Sequence, residues 1–61
     1  MEKLRKRVET ALKNKKKSWY WLSTESNINS KIIYRFRDGE GLSGKNTIKI
    51  MQTLQININE L

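Results

Sequence analysis

The sequence predicts an all-α fold, a compact bundle of four to five short helices, and three observations predict it. Apolar residues recur at helical spacing in successive short segments, Ser and Asn stand where those segments begin, and Asn or Gly residues interrupt the pattern between them. No internal repeat, linker or low-complexity tail divides the chain, so residues 1–61 read as a single domain.

From Glu2 to about Lys13, apolar residues fall at Leu4, Val8, Ala11 and Leu12, the stripe of an amphipathic helix whose other faces are charged. The stretch Asn14 to Lys17 breaks that pattern, and Ser18 stands as N-cap of a second helix from Trp19 to Ser26. Asn27-Ile28-Asn29 forms a turn, because Asn tolerates the left-handed backbone and Asn29 can cap the next helix. Ser30 to Asp38 is the third helix, with Ile32, Ile33 and Phe36 apolar, Lys31, Arg35 and Arg37 exposed, and Gly39 at the left-handed end. A glycine-containing loop, Glu40 to Gly44, leads to a fourth helix from Lys45 to Leu54 that buries Ile50, Met51 and Leu54, with Ile48 at its flank. Asn57 caps a short last turn, Ile58 to Leu61.

Composition narrows the functions such a fold can carry. A chain of 61 residues buries only about 60% of the surface its unfolded form exposes, so the core is small. It has no Cys and no His, so neither disulfides nor the usual metal ligands supplement that core. The same absences, with six acidic residues and no paired carboxylate motif, speak against an enzyme and against a cofactor. Thirteen Lys and Arg leave a net charge of +7, which favours polyanions; nucleic acid and anionic membrane both qualify. No apolar run approaches the ~20 residues that span a bilayer and the N-terminus lacks a secretory apolar segment, so the expected location is cytoplasmic, without a membrane partner.

The spacing within residues 19–39 is the informative feature. Two helices pack steeply across a short turn when certain positions are apolar, one is small and the turn accepts an unusual backbone. Leu22 and Ile33 meet between the helices, Ile28 fills the corner, Ser23 is the small residue, Asn27 takes the turn position and Phe36 anchors the third helix.

In these residues the chain resembles the Cro/C1 (XRE-like) helix-turn-helix family, the DNA-binding domains of lambdoid phage repressors and Cro proteins. The resemblance runs through SWYWLSTESNINSKIIYRFRDG, continues in TIKIMQTLQI and closes with NINEL. Asn27 replaces the usual glycine of that family, and polar Ser26 stands where an apolar residue is common. The resemblance implies a lambda-repressor-like domain whose helix-turn-helix spans 19–38 and whose recognition helix, residues 30–37, enters the major groove of double-stranded DNA. By position, Ser30, Lys31, Tyr34 and Arg35 are the base-contacting candidates, Lys and Arg suiting guanine O6 and N7 and Tyr34 reaching either a base or the sugar-phosphate. Ser18, Trp19, Asn29, Arg37, Lys45 and Asn46 are the phosphate-contacting candidates.

The implied role is a Cro-like repressor of a phage or mobile element that occupies an operator, as a weak or DNA-assisted homodimer using Ile58, Leu61 and the edge of the fourth helix. Nothing after Leu61 supplies an effector domain, so no small-molecule ligand is expected. Three other readings stay open: an antitoxin-like or adaptor module on the same fold, an excisionase-like architectural DNA binder, and a cationic peptide at a membrane surface. Blander roles also stand beside the assigned ones. Lys15 to Lys17 read as a solvated run or as neighbours of phosphate, Trp19 and Trp21 as packing residues or nucleic-acid platforms, and Arg37 as a cation at a helix C-terminus.

Overall fold

A computed structural model describes residues 2–57 and Asn59. Its described residues form four helices, α1 (Glu2–Lys15), α2 (Trp19–Ser26), α3 (Ser30–Arg37) and α4 (Gly44–Leu54), and contain no strand.

Helix starts follow from side-chain caps. The Ser18 hydroxyl oxygen accepts the Trp21 N–H at 3.0 Å, and the Asn29 Oδ1 accepts the Lys31 N–H at 2.8 Å. Each satisfies one of the first-turn donors that a helix leaves without an internal partner. α4 begins at Gly44, one residue earlier than its apolar stripe suggests, because Ser43 is its cap and accepts the Asn46 N–H at 3.2 Å.

All four helices end in the same device, a residue at positive φ whose successor donates back across the last turn. The residues are Lys16 (φ 56), Asn27 (φ 58), Gly39 (φ 115) and Gln55 (φ 56). The crossing bonds run from the N–H of Lys17 to Leu12 O (2.9 Å), Ile28 to Ser23 O (3.0 Å), Glu40 to Arg35 O (2.9 Å) and Ile56 to Met51 O (2.8 Å). This device shifts two predicted ends. α1 runs through Asn14 to Lys15, two residues past Lys13, because the lysine run is helical until Lys16 turns. α3 stops at Arg37, and Asp38 is its C-cap, its N–H shared among the carbonyls of Tyr34, Arg35 and Phe36.

One cluster holds the helices together: Leu4, Val8, Ala11 and Leu12 of α1, Leu22 of α2, Ile33 and Phe36 of α3, Ile50 and Leu54 of α4, with Ile28 and Ile56 from the turns. α2 packs against both α3 and α4. Leu22, Ile33 and Phe36 are wholly buried, and Ile28 fills the α2–α3 corner as its spacing suggests. Met51 is only half-buried, against the expectation that it joins the core, and Ile32 and Ile48 stay at the surface.

Two buried polar residues sit on α2's inner face. Ser23 Oγ donates to the Tyr20 carbonyl and Ser26 Oγ to the Leu22 carbonyl, both at 2.6 Å. A hydroxyl that returns its proton to the preceding turn carries no unsatisfied donor into the core. Ser26 therefore occupies an interior position at little penalty. At the C-terminus, Asn57 Oδ1 accepts the Asn59 N–H at 2.9 Å. Ile58, Glu60 and Leu61, and with them the expected last turn and two of the expected dimer contacts, lie outside the described residues.

Candidate nucleic-acid interface

α3 buries Ile33 and Phe36, so the helical repeat turns Lys31 directly outward, with Tyr34 on one flank and Arg35 on the other. Lys31 and Arg35 are exposed and one helical turn apart; Ser30 and Tyr34 are half-buried at the edge of the same face. The four base-contacting candidates thus share one side of a single short helix.

Two of the α3 cations have carboxylate neighbours. Arg35 Nε lies 3.9 Å from Glu40 Oε2, and Arg37 Nε donates to Asp38 Oδ1 at 3.1 Å. The Arg37 guanidinium also lies over the Tyr34 ring, 4.9 Å from its centroid. These groups are solvent-exposed, where such pairs contribute only about 0–1 kcal/mol, so an incoming phosphate or base competes with them readily. Neither carboxylate follows from helical spacing alone. Glu40 reaches Arg35 because the turn at Gly39 folds the chain back, and a glutamate just beyond a helix-ending glycine is the signal that points to it.

Five of the six phosphate-contacting candidates fall at helix starts, and Arg37 is the last residue of α3. Trp19 is the first residue of α2, where the backbone N–H has no acceptor within the helix, and its half-buried indole meets Phe36 edge-on with ring centroids 6.3 Å apart. Ser18 and Asn29 spend an acceptor oxygen on their caps, which leaves the Ser18 hydroxyl proton and the Asn29 amide nitrogen as donors. Lys45 is exposed and Asn46 half-buried in the first turn of α4, separated from α3 by the 38–43 loop. Arg37, expected at phosphate, is the candidate most engaged by its own neighbours, Asp38 and Tyr34.

Sequence reasoning did not anticipate the Lys17–Trp21 contact, in which the ammonium lies 5.6 Å from the ring centroid. The spacing of four residues across the start of α2 is its signal. Away from α3, a shallow groove of about 390 Å³ is lined by Ile48, Met51, Gln52, Gln55, Ile56 and Asn57 at the end of α4. No cluster of metal-ligating side chains occurs among the described residues, and no helix there is long and apolar enough to cross a membrane.

No protein-family model matches this chain, and neither a curated protein nor a solved structure does.

Proposed function

We propose that the chain is a sequence-specific binder of double-stranded DNA, a helix-turn-helix regulator of the Cro type in which α3 reads bases in the major groove. One observation carries the reading: the left-handed Asn27 turn joins α2 to α3 while Leu22, Ile28 and Ile33 lock inward and Lys31 and Arg35 stay outward. A short helix that anchors one face in a small core and turns its cationic face outward is the shape a major groove accepts, and its N-terminal residues reach base edges. Lys31 and Arg35 read guanine O6 and N7, with Ser30 and Tyr34 at the rim. Ser18, Trp19, Asn29, Arg37, Lys45 and Asn46 set the register on phosphate.

The protein acts as a repressor by occupying its operator, and a second copy joins on DNA through the groove at the end of α4, where 57% of Ile48 is exposed. Such a patch is too small for a stable dimer in dilute solution, since durable interfaces bury about 800 Å² per partner. Half-sites one helical turn apart suit that arrangement.

Selection of binding sites from a random duplex pool tests the proposal. A recovered palindromic site with half-sites about 10 base pairs apart supports it. A pool that stays random through successive rounds refutes sequence reading.

A further inference from the structure

We infer that the corner between α1 and α2, Lys13 to Lys17, is the principal phosphate-neutralising surface, gripping the duplex backbone beside the groove that α3 occupies. The inference rests on the duplex-binding reading and adds to it where most of the binding charge resides.

Charge distribution is the first observation. Residues 31–40 carry three cations, Lys31, Arg35 and Arg37, against two carboxylates, Asp38 and Glu40, both placed against arginines. Between Glu9 and Glu25 the chain carries Lys13, Lys15, Lys16 and Lys17 and no carboxylate at all. This five-residue stretch therefore contributes +4 of the net charge of +7, while the other nine cations share the rest of the chain with all six carboxylates. All four lysines are exposed, and none belongs to the ion pairs found among the described residues. Their field acts on a polyanion without first releasing an internal partner.

Rigidity and position are the second. The run is not a frayed tail: Lys16 is fixed at φ 56, its N–H donates to Lys13 O at 3.1 Å, and the Lys17 N–H donates to Leu12 O at 2.9 Å. Lys17 lies over Trp21, which holds its ammonium at the first turn of α2. Ser18, the α2 cap, comes directly after, so the lysines adjoin the helix start whose free N–H groups also favour phosphate. An ordered cationic corner next to a helix start fits the regularly spaced phosphates of a duplex.

The combined variant Lys13→Gln, Lys15→Gln, Lys16→Gln tests this by fluorescence anisotropy over a salt series, on the selected duplex and on a random one. The slope of log K against log salt becomes shallower by about 2 to 3, near 0.9 for each phosphate no longer neutralised, by the same amount on both duplexes, and the selected sequence does not change. A slope equal to the wild type, or a loss confined to the selected duplex, overturns the inference while base reading by α3 stands. Wild-type protein that binds every duplex alike, with a slope the variant reduces, supports the corner and removes the base-reading role instead. Binding to anionic phosphatidylserine vesicles but to no duplex overturns both. Circular dichroism checks folding, and if the triple variant is unfolded, Lys15→Gln and Lys16→Asn separately each reduce the slope by about 0.9.

Discussion

The Trp19 indole meets the Phe36 ring edge-on, with centroids 6.3 Å apart and planes inclined by 70°. This contact ties the start of α2 to the buried side of α3 near its C-terminal end. Edge-to-face pairs of this kind contribute about 0.5–1.5 kcal/mol beyond the area they bury.

Phe36 is wholly buried, and truncating a buried Phe costs about 3–5 kcal/mol, which approaches the whole stability of a domain this small. Phe36→Ala should therefore be largely unfolded at 25 °C by circular dichroism. Trp19→Ala should lower the melting temperature and leave the chain folded. Unchanged melting of Phe36→Ala would remove that ring from the core.

Arg35 and Lys45 should separate specificity from attraction. Arg35→Ala is expected to cost about 1–3 kcal/mol on the selected site and to relax base choice at one position. Lys45→Ala should weaken all duplexes alike and flatten the salt slope by about 1. Anisotropy titrations on selected and random duplexes distinguish the two, and equal losses on both for Arg35→Ala would end its base-reading role.

Lys16 and Gln55 hold left-handed backbone that costs a residue with a Cβ roughly 1–2 kcal/mol relative to glycine. Gln55→Gly should accordingly raise stability by about 1 kcal/mol, measured by urea denaturation. Asn27→Gly should stabilise less, because Asn already tolerates that conformation. A destabilised Gln55→Gly would show that the end of α4 is held by the glutamine side chain.

Ser26 is buried, yet its hydroxyl only returns to the Leu22 carbonyl within the same helix. Ser26→Ala removes a donor that nothing else needs and adds helix propensity, so its stability should lie within about 0.5 kcal/mol of the parent or above it. A loss beyond about 1 kcal/mol by thermal denaturation would give that hydroxyl a larger part in holding the α2–α3 corner.

The features legible in the sequence were local. Ser18, Asn27 and Asn29 announce α2, the turn and α3 because capping and left-handed preference act within three residues of their cause. The inward set of Leu22, Ile28 and Ile33 and the outward set of Lys31 and Arg35 follow from helical period. The end of α1 is harder to read, since Lys16 carries no mark of a left-handed residue and the return bond from Lys17 selects that conformation, whereas α4 ends at Leu54 as its apolar stripe predicts. Pairing of Arg35 with Glu40 was hidden for a different reason: it exists only once Gly39 has turned the chain. Which residues lie on the outward α3 face thus follows from spacing and their base-contacting role only from the resemblance, whereas the company they keep required three dimensions.

The claim that α3 is the helix that meets DNA is tested most directly by following the backbone amide resonances of the protein as the selected duplex is added. The largest shifts should fall at Ser30, Lys31, Tyr34 and Arg35, with smaller ones from Lys13 to Trp19, at Lys45 and, where a second copy joins, along the end of α4. Shifts concentrated on Ile48 to Asn57 with α3 unmoved would contradict the account.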